Sequence, residues 1–226
     1  MPYKLVCFDM DGVLYSSEKM IAAAFRDAVM RFSREVELDV QVPKLQRIME
    51  EVGRPIRTIY ANLFPKLNQV QQERVSTLTL DTLEKRVKAR EGTLLPGALQ
   101  VLQKLEERGI AIGLASNGRE RYLDAILQTY GMDRYFPGRA VIDGDKLPDK
   151  GSLITHAMQR YELNAEDTLM VGDRLTDYEA AEQAGVDFVC VLTGHGNDIL
   201  DHQSAYSIRK LEELLPVVFG EEYARI

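Results

Sequence analysis

Two aspartates separated by one methionine, Asp9-Met10-Asp11, end the short apolar run Leu5–Phe8 and are followed at once by Gly12. In an extended chain both side chains would point to one side. Carboxylates that close repel each other unless a cation neutralises them or one keeps its proton. Other polar groups also follow apolar runs: Ser116-Asn117-Gly118 after residues 110–115, and Gly172-Asp173, with Asp177 beyond, after residues 168–171. Lys150 opens the helix-like stretch KGSLITHAMQRY ahead of the last of these runs. Hard oxygen donors with one or two carboxylates describe a Mg2+ site, for which phosphate is the natural co-ligand. The Ser116 hydroxyl, N–H groups of the glycine-containing turns and the Lys150 ammonium would complete an anion cradle.

Each piece alone has a simpler explanation. Asp-Gly is a common turn signal, and Ser116-Asn117-Gly118 could merely cap a helix. Asp173 and Asp177 could be a turn residue and a helix cap, and a lone lysine is normally solvated. What these explanations leave open is why all four recur, in order, where apolar runs end.

For one edge to collect these groups the runs must be parallel strands, because such sheets place ligands at the carboxyl ends of their strands. Strand-like runs occur at Leu5–Phe8, 110–115, 168–171 and 188–192, with a weaker one at 140–142. Helical stretches alternate with the later ones. In PGALQVLQKLEERG, Ala98, Val101, Leu102 and Leu105 share a face, with Pro96 before the helix and Gly109 after it. Residues 18–91 instead show helical periodicity at 19–34, 42–51, 57–64 and 69–90 and contain no convincing strand. The expected fold is α/β: a Rossmann-like parallel sheet with helices on both faces, built from residues 1–16 and 92–226, with a helical-bundle cap inserted at 17–91. SIRKLEELLPVVFG near the C-terminus reads as an amphipathic helix.

Composition narrows the function. The 226 residues carry 28 Lys and Arg against 35 Asp and Glu, a formal charge of −7. No basic cluster suits a phosphate backbone, so nucleic acid is not an expected partner. No stretch approaches the roughly 18 apolar residues of a membrane span, and the N-terminus lacks a signal-peptide layout, so a cytoplasmic protein is expected. Cys7 and Cys190 sit in apolar runs and read as reduced core thiols. His156, His195 and His202 lack a metal-ligand spacing: His156 reads as a partly exposed helix residue and His195 as a loop residue near the site edge.

With these residues in view, the chain resembles the haloacid dehalogenase superfamily, in its phosphatase branch with a helical cap. The matching motifs are Asp9-Met10-Asp11-Gly12-Val13, Ser116-Asn117-Gly118, Lys150 and Val171-Gly172-Asp173-Arg174-Leu175-Thr176-Asp177. The resemblance implies Mg2+-dependent hydrolysis of a small phosphorylated metabolite through an aspartyl-phosphate on Asp9. Asp11 would act as general acid and then general base. Mg2+ would be held by the Asp9 carboxylate, the Asp11 backbone carbonyl and Asp173, with Asp177 in support. Ser116 and Asn117 would bind the phosphoryl group, and Lys150 would position Asp9 and offset its charge. Lys146 competes with Lys150 for that role. Dehalogenases of the superfamily lack the second aspartate, so Asp11 argues for phosphate.

Gly53-Arg54-Pro55 is similar to a turn that related caps place over the active site, which would let Arg54 meet the substrate. Arg57 is a weaker candidate, and a solvated arginine at a helix start is an equal alternative. The insertion is expected to act as a lid. Two other functions fit less well. A sugar-phosphate mutase resembling beta-phosphoglucomutase would share the aspartyl-phosphate chemistry, but no histidine follows Asp11 in Tyr15-Ser16-Ser17-Glu18. A non-catalytic ligand-binding relative would have no need for all of these polar groups.

Overall fold

Four-residue apolar runs are too short to stand alone as strands and gain their stability from pairing and burial. In the computed structural model, which describes residues 3–143, 145–192 and 203–220, they pair as a five-stranded parallel sheet. Its strands are β1 (Leu5–Phe8), β4 (Ala111–Leu114), β5 (Thr168–Gly172), β6 (Asp187–Val191) and β7 (Tyr206–Ile208), in the order β4-β1-β5-β6-β7. Two short strands, β2 (Tyr15–Ser16) and β3 (Thr93–Leu94), form a second sheet where the chain leaves for the insertion and returns from it.

The chain divides into two compact units. The α/β unit comprises Met1–Tyr15, Leu94–Asn117 and Met132–Ile226. Among the described residues its helices are α5 (Ala98–Glu107), α7 (Lys150–Tyr161), α8 (Leu175–Ala184) and α9 (Leu214–Phe219). Alternate residues of the central strands point to opposite faces. Leu5, Cys7, Met170, Phe188 and Cys190 join Leu153, Ile154 and Ala157 of α7 and Ala180 and Ala181 of α8 in one core. Val6, Phe8, Leu169, Val171 and Val189, on the other face, are also fully buried. Burial on both faces explains why these strands read as continuous apolar runs. Cys7 and Cys190 are buried free thiols, and burial pushes the Cys7 pKa up to about 12, which keeps it protonated and inert.

The helical unit comprises Ser16–Thr93 and Gly118–Gly131. It contains α1 (Glu18–Val36), α2 (Leu45–Glu51), α3 (Ile56–Leu63), α4 (Gln69–Lys88) and α6 (Glu120–Tyr130). Ile21, Phe25, Ala28, Val29 and Phe32, spaced along one face of α1, pack with Tyr60, Phe64, Val75 and Leu78. The rings of Phe25, Tyr60 and Phe64 stack in series at centroid distances of 5.8 and 6.1 Å. Asn68 and Gln71 form a reciprocal capping box that starts α4.

Three details depart from the sequence reading. Residues 140–142 form no strand: Ala140 and Ile142 pack half-buried against the core from a loop, while β4 forms that edge of the sheet. The C-terminal stretch expected as one helix begins as β7, passes through a 3-10 turn at Leu211–Glu213 and becomes helical only at α9. Helix α6, not anticipated, groups with the helical unit and not with residues 92–226. It is tied to α4 by Arg119–Glu73 at 2.7 Å, by Arg121–Asp81 at 3.1 Å and by an Arg121–Glu84 pair. His195 and His202 lie outside the described residues.

Gly113 on β4 pairs with Cys7 on β1, and a Cβ at Gly113 would sit 2.7 Å from the Cys7 sulfur and 3.3 Å from the Ala157 methyl. Gly113→Ala is therefore expected to lower stability in urea unfolding by about 1–3 kcal/mol, the usual cost of overpacking. Adding Cys7→Ala should recover part of that loss, because the two sites are in contact.

Candidate active site

Strand register decides which side chains share the sheet's carboxyl edge. Phe8 lies opposite Leu114 on one side and Val171 on the other. The ladder continues one step further: the Asp9 N–H donates to the Val171 carbonyl at 3.0 Å, and the Ala115 N–H donates to that of Phe8 at 2.9 Å. Asp9, Ser116 and Asp173 thus emerge together from three adjacent strands, and all three are buried.

Beyond Asp9 the chain curls tightly. The Met10 carbonyl accepts from the N–H groups of Leu14 and Tyr15, both at 3.0 Å, and the Gly12 N–H donates to the Tyr15 carbonyl at 2.8 Å. The curl holds Asp11 half-buried at the mouth of the edge. Gly12 adopts φ +92°, which L side chains rarely do, and a Cβ there would fall 2.3 Å from the Asp173 carboxylate. At Gly172 a Cβ would lie 2.2 Å from the Asp177 Cβ. The two glycines make the space that the carboxylates fill.

Asp9, Asp173 and Asp177 are all buried, and each brings a carboxylate oxygen to within 4.8 Å of the others. The Asp11 carboxylate is not part of this group. Asp177 lies in the first turn of α8, where its Oδ2 accepts from the N–H groups of Asp173 at 2.9 Å and Arg174 at 3.0 Å. Those donors would otherwise be unsatisfied at the helix start, and an anion there is favoured by the helix dipole.

Lys150 supplies the opposing charge. It is the first residue of α7, where the dipole disfavours a cation, yet its side chain is only 3% exposed. Its Nζ lies 3.1 Å from Asp9 Oδ1 and also donates to Asp177 Oδ1. The helix start is fixed by Asp149, which accepts from the Ser152 N–H at 2.8 Å and from Gln183 Nε2 at 3.0 Å. Burial works against the Lys150 ammonium, but Asp177 and Asp9 outweigh it and hold the pKa above the usual lysine range. Burial, reinforced by Asp9, pushes the Asp177 carboxyl up against the opposing pull of Lys150. The competing lysine, Lys146, is exposed.

The structure therefore brings Asp9, Ser116, Lys150, Asp173 and Asp177 to one edge, with Asp11 and Asn117 beside them on the same loops. The sequence reading gave Asp177 only a supporting part and assigned no role to Gly172. The available signal was a glycine wedged between a strand and an acid. Arg54 belongs to the helical unit, where its Nε lies 3.3 Å from Glu51 Oε2. Glu51 is buried at the end of α2 and also accepts from Asn62 at 2.8 Å, so Arg54 has a structural partner.

Comparison with known proteins bears on the family and the fold. A family model described as haloacid dehalogenase-like hydrolase matches residues 3–185. A phosphoglycolate phosphatase from Pseudomonas fluorescens is 29% identical over 222 residues, covering 94% of this chain and 79% of its own. One from Vibrio parahaemolyticus is 28% identical over 225 residues, covering 95% and 96%. Among solved structures, a predicted phosphoglycolate phosphatase from Haemophilus somnus superposes with a TM-score of 0.83 at 18% identity, covering 96% of this chain and 98% of that one. A predicted phosphatase from Clostridium acetobutylicum gives 0.81 at 21% identity, covering 97% and 100%. At these identities the structural matches speak for the fold.

Lys150→Met removes the ammonium and leaves the buried acids uncompensated. Its expected cost in urea unfolding without divalent ions is about 3–5 kcal/mol. A folded-state Asp177 pKa above the unfolded value means that the native state binds the extra proton, so stability rises as pH falls. The deficit of the variant should accordingly be largest near neutral pH and shrink on acidification.

Proposed function

Because the chain belongs to the haloacid dehalogenase-like hydrolase family, it is a hydrolase, and we propose that it cleaves a small phosphomonoester at the Asp9 cluster. The observation that carries this reading is the set of buried carboxylates bound around Lys150 at the carboxyl edge of a parallel sheet. Phosphoglycolate is the first substrate to test, since relatives aligned over nearly the whole chain bear the name of its phosphatase.

The donor set fits a hard divalent cation. Three buried carboxylates against one ammonium leave an excess of negative charge, and oxygen donors are what Mg2+ takes. Asp9 and Asp173 would hold the ion with the Asp11 backbone carbonyl, and Asp177 would support them. When bound, Mg2+ would offset negative charge on the phosphoryl oxygens.

The chain's own residues divide the remaining work. Asp9 attacks phosphorus through a carboxylate oxygen as the bond to the leaving oxygen breaks, which gives an aspartyl-phosphate. Asp11 gives its proton to that leaving oxygen. It then takes a proton from the water that attacks the phosphoenzyme, so that phosphate departs and Asp9 returns to its starting state. Half-exposure suits this second role, because Asp11 must meet both alcohol and water. The Ser116 hydroxyl and the N–H groups of its turn bind the transferring oxygens, where charge develops. Lys150 holds Asp9 in line for attack and keeps Asp177 on the α8 start.

Two measurements test this. Asp11→Asn should lower phosphate release from an aryl phosphate by about 10^2- to 10^4-fold, the usual share of general acid–base catalysis. Asp9→Asn should abolish covalent labelling by the substrate phosphate. Normal turnover in either purified variant would sink the role given to that residue. Separately, chelation of divalent ions should stop turnover and added Mg2+ should restore it. Activity indifferent to chelation would remove the metal from the reading.

A further inference from the structure

The turn Ser116-Asn117-Gly118 follows β4, and the boundary between the two compact units falls inside it, after Asn117. On the strand side the sheet fixes it, through the Ala115 N–H that donates to the Phe8 carbonyl at 2.9 Å. What fixes its other side lies in the helical unit. Gly118 packs on α6, where a Cβ would fall 2.9 Å from Leu123 Cδ2. The N-cap of α6 is Arg119, whose carbonyl accepts from the N–H groups of Tyr122 and Leu123 at 3.0 and 3.1 Å.

The helix dipole disfavours a cation at that position, and the Arg119 side chain makes no capping bond. It reaches α4 instead. One guanidinium nitrogen donates to Glu73 Oε1 at 2.7 Å and to Ser76 Oγ at 2.8 Å. Ser76 is buried, which gives the arginine a fixed anchor beyond the exposed Glu73 carboxylate. Further along, Arg121 pairs with Asp81 and Glu84, and the Tyr130 hydroxyl donates to the Gly92 carbonyl at 2.7 Å. Helix α6 is therefore held to the insertion at both ends, and the turn ahead of it runs from the sheet into a helix that the insertion holds. A binding loop whose shape is set in advance loses less ordering entropy when its ligand arrives.

We propose that Arg119 is a positioning residue for the phosphate-binding turn. Its grip on Glu73 and Ser76 holds the start of α6, and through it Ser116-Asn117-Gly118, in the shape that receives the phosphoryl oxygens. The inference rests on the reading of Ser116 as a phosphate ligand. Arg119 acts through the turn, while its guanidinium stays on α4.

The test is calorimetric titration of the full-length protein with Mg2+ alone and then with inorganic phosphate in the presence of Mg2+. Arg119→Gln should weaken phosphate binding by about ten-fold, within the roughly 100-fold that a 1 Å misplacement can cost, and should leave Mg2+ binding at the wild-type value. Glu73→Gln separates positioning from simple charge attraction and serves also if Arg119→Gln folds poorly. Loss of the Arg119 anchor should weaken phosphate binding, whereas removal of a negative charge by itself would strengthen it. Arg74→Gln removes an α4 arginine that pairs with Glu35 instead, and should bind phosphate as the wild type does. Unchanged phosphate affinity in Arg119→Gln, tighter binding in Glu73→Gln, or an equal loss in Arg74→Gln would each overturn this inference alone. Failure of the wild type to bind phosphate at all would overturn the phosphate-site reading and this inference with it.

Discussion

Asp9, Asp173 and Asp177 lie buried with carboxylate oxygens within 4.8 Å of one another, and the Lys150 ammonium touches two of them. Removing charged groups from water costs several kcal/mol per ion unless partners replace the lost hydration. Much of the local architecture serves to supply those partners. The start of α8 lends two N–H groups to Asp177. The capping of α7 by Asp149 fixes the residue that carries the ammonium. Gly12 and Gly172 surrender the volume that the acids require. A cation at the first residue of a helix runs against the dipole, and its retention there is explained by the acids it reaches.

Much of this was legible in the residues themselves. Continuous apolar runs announced strands buried on both faces, and the polar groups just past them do gather at one edge of the sheet. The ends of β1, β4 and β5 needed only parallel pairing to bring their acids and serine together. What could not be read depended on contacts distant in sequence. Nothing local distinguishes Asp177 as a helix cap from Asp177 as a partner of Lys150. Arg54 and Arg57 look alike until Glu51 is seen to occupy one of them. Residues 140–142 have strand composition but no neighbouring strand to pair with, and pairing is a property of the whole sheet. The stretch from residue 207 looked like one helix because its apolar spacing suits a helix, while β6 recruits its first residues as a sheet edge.

The helical unit follows a different electrostatic logic. Its acids and bases meet at the surface: Arg74 clasps Glu35 through two bonds of 2.8 Å, and Arg86 bridges Asp27 and Glu91. Exposed pairs of this kind contribute at most about 1 kcal/mol each, and salt weakens them. Its cohesion comes from the apolar face of α1 and the ring stack of Phe25, Tyr60 and Phe64. The α/β unit buries a cluster of acids around Lys150, whereas the helical unit keeps most of its charge in water.

The insertion enters the chain after Tyr15 and returns at Leu94, between two segments that each contribute to the carboxyl edge of the sheet, yet no member of the buried acid cluster comes from it. Changes to the length or helices of the inserted stretch therefore leave every carboxylate of that cluster, and the lysine between them, in place in the sequence.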